Sequence, residues 1–240
     1  MIRAKSFLIA TTLLFPISAL TQTETASLRW HPVKGDQFSY EFVVKTDIGG
    51  TPYEATSLVS STVTEVRADE SYTIKSERRG SLVRVGANET RDDRVSTTTA
   101  RHNADGRLVS MQGQEGIEGY RFASFTKFVA PPMPVKTGDS WRIVHEKDRP
   151  QGAPSYETTY RFEKINASEK GKTAEISFAM KETSGANVRT ANGKWIVDMA
   201  TGLPISMEAK ATGLIPDADS VTVQIKRVSG SNAQGAKSRS

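Results

Sequence analysis

The chain has 240 residues, of which 37% are hydrophobic, and it contains no Cys. The missing Cys excludes disulfides, thiol catalysis and a lipid anchor attached to an N-terminal Cys. The chain carries 32 Lys and Arg against 27 Asp and Glu, but four of the bases and none of the acids lie in residues 1–19 and 229–240. The rest of the chain is nearly neutral and has no long basic run, which argues against nucleic-acid binding.

Both ends of the chain are predicted to lie outside the fold. Residues 1–19 combine a basic start, an apolar run and a small residue at Ala19, which predicts a signal peptide and export to the periplasm or the extracellular space. The apolar run is shorter than the roughly 20 residues of a membrane span, and no later stretch is apolar enough for one. Residues 229–240 are rich in Ser, Gly and Ala and predict a disordered tail. We expect residues 20–228 to form a single all-β domain.

Between these ends, apolar and polar residues alternate with a period of two. The clearest alternations lie at 37–44, 173–180, 205–211 and 221–226. Further strands are predicted at about 55–66, 70–79, 81–86, 92–102, 107–112, 141–147, 156–166 and 193–199, separated by turns that contain Gly, Asn or Asp. Strands of this kind bury one face and expose the other, which is typical of antiparallel sheet.

Three short segments recur in the same order along the chain. They are PVKGDQF (32–38) and PVKTGDSW (134–141), YEAT (53–56) and YETT (156–159), and GRLVSM (106–111) and GLPISM (202–207). The recurrence predicts an internal duplication, with repeats at about 30–112 and 133–211. In the first pair, Gly-Asp is expected to make a tight turn. The aromatic residue after it, Phe38 or Trp141, is expected to begin an inward-facing alternation.

Residues 114–129 interrupt the alternation between the two repeats. Their apolar residues recur at spacings of three, which predicts a short helix, and Pro131 and Pro132 would end it. One interpretation is a crossover helix that packs on the sheet and fills its core. The other is a mobile aromatic lid over an apolar pocket. In the second interpretation, the candidate ligand-binding residues are Tyr120, Phe122, Phe125 and Phe128.

Residues that could support catalysis or hold a metal are not grouped in the sequence. His31, His102 and His145 have no partner at metal-ligand spacing. The chain has neither a Gly-x-Ser-x-Gly nucleophile elbow nor a Gly-rich phosphate-binding motif. Asp198 and Thr201 are expected to hydrogen-bond turn amides. We therefore predict no catalytic residue, no metal site and no cofactor.

The hairpin at 198–207 (DMATGLPISM) resembles strand–Asp–Thr-Gly–strand units of bacterial half-barrel lipoprotein-carrier and lipoprotein-sensor proteins. The VKTGDSW segment at 135–141 is similar to segments of secreted bacterial domains of unknown function. The resemblance implies a mainly β fold with a large curved antiparallel sheet, half-barrel or barrel-like, around a helix. We expect this sheet to be built from two duplicated halves with one short helix between them. The resemblance also implies an apolar concavity that can take acyl chains. The chain differs from a lipoprotein because it has no anchoring Cys.

Two classes of function remain, with an enzyme as a third. The first is an exported, non-enzymatic binding protein whose sheet holds an apolar small molecule or a lipid-like segment. The second is a structural or protein-interaction module of the cell envelope that has no small-molecule ligand. Neither requires nucleic acid or a membrane span. A binding protein should have a cavity on the order of several hundred Å³ lined by Phe122, Phe125 or Phe128. In an interaction module these rings should be packed, and an edge strand or apolar patch should be open.

Overall fold

The computed structural model describes residues 24–113, 116–146, 154–185, 188–215 and 218–228. The predicted signal peptide (1–19) and tail (229–240) lie outside these ranges. The elements of the described chain, in order, are β1 (Thr25–Ala26), β2 (Gln37–Ile48), β3 (Thr51–Val66), β4 (Tyr72–Val85), β5 (Asn88–His102), β6 (Leu108–Gln112), α1 (Gly116–Phe125), β7 (Val135–Lys136), β8 (Ser140–His145), β9 (Tyr156–Ser168), β10 (Gly171–Glu182), β11 (Thr190–Asp198), β12 (Pro204–Thr212) and β13 (Val221–Arg227).

Eleven strands form one antiparallel sheet in the order β6-β5-β4-β3-β2-β13-β12-β11-β10-β9-β8. Within β2 to β6 and within β8 to β13, consecutive strands are neighbours in the sheet. β13 lies between β2 and β12 and so joins the two halves. The edge strands β6 and β8 pair with β5 and β9 and not with each other, so the sheet is open. The predicted mainly β fold with a large, curved, half-barrel-like sheet is confirmed. β1 and β7 form a separate short pair.

The alternation of apolar and polar residues places the core on one face of the sheet, called here the inner face. In β9 to β13 the inward side chains are almost completely buried. They include Tyr160, Phe162, Ala174, Ile176, Phe178, Trp195, Val197, Met207, Ala209, Val221, Val223 and Ile225. Burying a large apolar side chain is worth roughly 1.5–3 kcal/mol relative to leaving it exposed, so this face supplies most of the driving force for folding.

Two predicted boundaries are corrected by the structure. The strands predicted at 70–79 and 81–86 are one strand, β4, because a bulge at Gly80 (φ 68°) lets the pairing continue after a shift of register. The helix predicted at 114–129 is shorter at its C-terminal end and stops at Phe125. Residues 114 and 115 lie outside the described ranges. Beyond the helix, the Ala130 N–H donates to a carbonyl of the turn before β6, and a tryptophan side chain donates to the Val129 carbonyl, so these peptides bond to distant parts of the chain instead of continuing the helix.

The two Gly-Asp turns have the same local geometry. Gly35 and Gly138 have φ angles of 94° and 95°, a region that favours glycine. The carboxylates of Asp36 and Asp139 each accept a hydrogen bond of 2.9 Å from the backbone N–H three residues earlier. The aromatic residue two positions after each Asp is buried. The duplication of the complete halves stays a prediction.

The turn between β11 and β12 has the predicted chemistry. The Asp198 carboxylate accepts a hydrogen bond of 2.9 Å from the Ala200 N–H, and the Thr201 hydroxyl accepts one of 3.2 Å from the Leu203 N–H. Both side chains are therefore used to hold the turn.

Candidate functional site

A cavity of about 140 Å³ lies on the inner face, close to the middle of the sheet. Strands β2, β3 and β4 form most of one side of it. The rest of the lining comes from two crossing segments, 28–30 and 126–130, and from the turns at 104–106 and 202–204. Strands β11 and β13 contribute one residue each. The aromatic residues that line it are Trp30, Phe38, Tyr40, Phe42, Tyr72, Phe128 and Trp195. The cavity is therefore apolar and mainly aromatic.

The period of two in the strands explains this lining. In β2, alternate positions place Phe38, Tyr40 and Phe42 on the inner face. The Trp30 ring packs edge-to-face on Phe38 and on Tyr72, with ring centroids 5.4 and 5.2 Å apart. Edge-to-face contacts of this kind stabilise a fixed arrangement of rings. The aromatic walls are therefore held by one another before any ligand binds.

Two glycine turns allow the crossing segments to approach the sheet closely. At Gly106 (φ 96°), an added Cβ would lie 2.7 Å from the carbonyl oxygen of Phe128. At Gly202 (φ 73°), an added Cβ would overlap the backbone of segment 28–30. Both contacts need a residue without a side chain. Gly106 and Gly202 begin the GRLVSM and GLPISM segments, so the recurrence in the sequence marks the two points where the cavity is covered.

Lys127 is the single basic residue among the described residues that line the cavity. It is only partly exposed, and burial lowers the pKa of its ammonium group to about 8. Within the described chain, no hydrogen bond or ion pair joins the Lys127 ammonium to a protein group. A desolvated cation without a partner is unfavourable, so this side chain is unusual for a purely structural role.

The charge of Lys127 acts on one buried polar group, His102. Tyr72 also lines the cavity, and its ring stacks on His102 with centroids 5.2 Å apart. Burial, and next the charge of Lys127, lower the pKa of His102 to about 3, so this histidine is neutral near pH 7. Burial raises the pKa of Tyr72, and the negative charge of Asp105 adds to that rise. Within the described residues, the Tyr72 hydroxyl makes no hydrogen bond to another protein group.

Four other polar side chains of the cavity are already paired. The Asp105 carboxylate accepts a hydrogen bond of 2.7 Å from Arg107 Nε. The Tyr40 hydroxyl donates to the Pro204 carbonyl at 2.7 Å, and burial raises its pKa. The Ser61 and Ser76 hydroxyls bond to each other at 2.8 Å. Lys127 and Tyr72 are therefore donors that a ligand could engage, in addition to the indole N–H groups of Trp30 and Trp195, which also line the cavity.

Of the four predicted ligand-binding residues, Phe128 alone lines this cavity. Its ring packs edge-to-face on Trp141 and Tyr160 (6.3 and 5.7 Å) and lies 6.0 Å from Trp195. Phe128 is 8% exposed, so it forms part of a fixed wall.

The other three predicted residues lie elsewhere. Tyr120 is buried against Leu108 and Met111 of the edge strand β6. Phe125 is buried against Phe178, beside a space of about 10 Å³, which holds one water at most. Phe122 is partly buried against the same core. These rings anchor α1 to the sheet.

Sequence reasoning did not find Lys127, Tyr72 or Trp30. For Lys127 a signal was present, because a lysine lies between two aromatic residues in a segment that is otherwise mostly apolar. Tyr72 and Trp30 carry no local signal. They line the same cavity as Lys127 because segments that are distant in the chain cross there.

A larger space, about 400 Å³, lies on the outer face of the sheet. It is open to solvent and is lined by charged and polar side chains of β2, β11, β12 and β13, among them Lys194 and Glu208. It lacks aromatic walls, so the inner cavity is the better candidate for an apolar ligand.

No family model matches the chain, and no curated protein matches it. Among solved structures, one similar protein comes from Bacteroides fragilis and is assumed to be exported, with a YmcC-like fold. It is 12% identical, its TM-score is 0.34, and the match covers 84% of this chain and 99% of that chain. Likeness at this level supports no conclusion about function. None of the helices in the described part of the chain is long and apolar enough to cross a membrane.

Proposed function

We propose that this protein is an exported, non-enzymatic binding protein that holds an apolar ligand in the cavity between segments 28–30 and 126–130 and the inner face of the sheet. The observation that carries the proposal is the aromatic cavity of about 140 Å³, which is smaller than the several hundred Å³ expected from the sequence and which Phe128, but neither Phe122 nor Phe125, lines. An apolar cavity of about 150 Å³ in another protein stays dry and binds benzene. The cavity therefore takes one ring or a short piece of an acyl chain. Export is supported by the signal-peptide pattern of residues 1–19.

A second candidate function is a protein-interaction module of the cell envelope. Two observations favour it: Tyr120, Phe122 and Phe125 pack against the core, as expected for such a module, and the sheet edges β6 and β8 are open. Unpaired edge groups can bind a further strand. Val144 on β8 is 48% exposed and adds an apolar side chain to this edge. A variant that fills the cavity and leaves the sheet edges unchanged distinguishes the two functions.

The test is a titration of the protein with 1-octanol, a neutral apolar probe, followed by calorimetry and thermal unfolding. Val59 on β3 lines the cavity and is partly exposed. In Val59→Phe, the new ring should fill a space close to the size of benzene, so octanol binding and its stabilising effect should be lost. The variant should remain folded because the ring occupies empty space.

The matched control is Leu58→Phe. Leu58 is the preceding residue of β3, does not line the cavity and is 44% exposed. This variant should bind octanol as the unchanged protein does. If the unchanged protein gives no heat and no rise in unfolding temperature with octanol, the proposed binding function is wrong and the interaction module becomes the better explanation.

A further inference from the structure

Lys127 is a cation in an apolar cavity without a carboxylate to neutralise it. Burial is the one influence that shifts its pKa, so no acidic side chain offsets the desolvation of its ammonium group. The single acidic residue among the described lining residues is Asp105, and its carboxylate is bonded to Arg107. The protein therefore leaves one positive charge available beside the apolar space.

The Tyr72 hydroxyl is a second donor in the same region. Tyr72 and Lys127 both line the cavity, and both lie close to His102, one by ring stacking and the other through its charge. His102 does not compete as a donor. Its Nδ1 lies 3.2 Å from the Gly106 carbonyl, which can only accept, so this nitrogen carries the proton and Nε2 carries none.

We propose that the ligand of this cavity is an apolar molecule with a carboxylate group, and that the carboxylate binds the Lys127 ammonium and the Tyr72 hydroxyl while the apolar part lies against the aromatic walls. This inference rests on the proposed function and names the class of ligand. A carboxylate has two acceptor oxygens, which suits two donors. Charge-assisted hydrogen bonds are about twice as strong as neutral ones, so the anion should be preferred over a neutral compound with the same chain.

The test compares octanoate with 1-octanol, which share the same chain length and differ in the head group. At pH 7 the unchanged protein should bind octanoate at least about tenfold more tightly than 1-octanol, a factor that corresponds to about 1.4 kcal/mol. Lys127→Met removes the charge and keeps an unbranched apolar side chain. In this variant the preference for octanoate should fall to about one while 1-octanol still binds.

Two control variants test whether the loss of octanoate preference in Lys127→Met comes from misfolding or from the lower net charge of the protein. Lys127→Arg keeps the cation and should keep the preference for octanoate. Lys194 precedes the cavity-lining Trp195 on β11, but it is exposed and does not line the cavity. Lys194→Met should therefore leave the preference for octanoate unchanged. Thermal unfolding of each variant shows that it is folded.

The preference should also depend on pH. Octanoate binds the protonated Lys127, so the preference should decrease as the pH rises through 8 and beyond, and Lys127→Met should show no such decrease. Of the other titratable groups at the cavity, His102 is already neutral in this range, and burial raises the pKa of Tyr72. The Asp105 carboxylate is hydrogen-bonded to Arg107.

The outcomes distinguish the two proposals. If neither probe binds, the proposed function is wrong, and this inference fails with it. If both probes bind equally well to the unchanged protein, or if Lys127→Met keeps the preference for octanoate, the carboxylate inference is wrong while the binding function stands.

Discussion

His102 is completely buried, and its Nε2 has no hydrogen-bond partner among the described residues. Its ring stacks on Tyr72, which lines the cavity, and its Nδ1–H donates to the turn at Gly106. One side chain thus supports both a wall of the cavity and the turn that is crossed by segment 126–130. Because burial lowers its pKa, this support requires the neutral ring.

The protonation of His102 predicts an acid-sensitive fold. The pKa of the ring is about 3 in the folded protein and 6.5 for an unperturbed histidine. Below pH 6.5 the unfolded chain therefore binds a proton that the folded chain does not, so stability is lost as the pH falls from 6.5 toward 3. The contribution of this residue to the free energy of unfolding should decrease by about 1.4 kcal/mol per pH unit within that window.

The measurement is urea unfolding between pH 7 and pH 4.5, for the unchanged protein and for His102→Asn. The variant should be less stable at pH 7, because it loses the stacked ring, but it should show a shallower dependence on pH. His31→Asn is the control, since His31 is exposed and should leave the pH dependence unchanged. Equal slopes for the unchanged protein and His102→Asn would contradict the assignment.

At the scale of elements, the cavity depends on two turns that lie against crossing segments. Gly106 and Gly35 have nearly the same backbone conformation, φ 96° and 94°. Around Gly35 there is nothing within 4 Å of an added Cβ, whereas at Gly106 the Cβ would lie 2.7 Å from a backbone oxygen. Substitution by Ala at Gly35 therefore measures the destabilisation from backbone conformation alone, and substitution at Gly106 adds the destabilisation from steric overlap.

Gly35→Ala should lower the free energy of unfolding by about 1–2 kcal/mol, the cost of a left-handed conformation for a residue with a Cβ. Gly106→Ala should lower the free energy of unfolding clearly more, because the added Cβ also displaces segment 126–130. It should also weaken 1-octanol binding, which Gly35→Ala should not do. Chemical unfolding and calorimetry of both variants provide the measurement, and equal losses for the two would show that the crossing segment is not held at Gly106.

At the scale of the whole molecule, α1 and segment 126–130 span the gap between the two edges of the open sheet. Tyr120 packs against β6, and its hydroxyl lies 3.4 Å from His145 Nε2 at the end of β8. On β10, Glu182 is 2% exposed and accepts two hydrogen bonds from Arg121 of α1, at 2.7 and 2.6 Å. The backbone N–H of Arg189 donates to the same carboxylate at 3.0 Å. The helix is thus attached to both edges and to the sheet.

Glu182→Ala should destabilise the protein by roughly 3–5 kcal/mol, because it leaves the largely buried Arg121 without its main partner. Glu157→Ala is the matched control. This variant breaks the exposed ion pair between Glu157 on β9 and Arg142 on β8, and it should lower the free energy of unfolding by at most about 1 kcal/mol. Thermal and chemical unfolding provide the comparison. A loss below about 1 kcal/mol for Glu182→Ala would show that the ion pair does not fasten α1 to the sheet.

The positions of the strands and the inner face follow from local patterns, which explains why they are predictable, whereas the pairing of β13 with β2 joins distant segments and was not predicted. A period of two determines which side chains share a face, and short turns make consecutive strands neighbours in the sheet. The same patterns identify the Gly-Asp turns and the turn held by Asp198. They fail at the helix end, where residues after Phe125 bond to distant carbonyls and side chains and leave the helical path.

The candidate site shows the limit of local patterns more clearly. The aromatic segment at 120–128 is visible in the sequence, but three of its rings pack into the core and Phe128 alone reaches the cavity. Lys127 and Tyr72 line the same cavity because segment 126–130 crosses the inner face at Gly106. Those contacts join residues that are far apart in the chain. The recurring segments mark the two glycine turns, but they do not show which segments pack against them. Apolar periodicity is thus enough for the sheet, whereas the cavity and its charge arise from how the chain is packed upon itself.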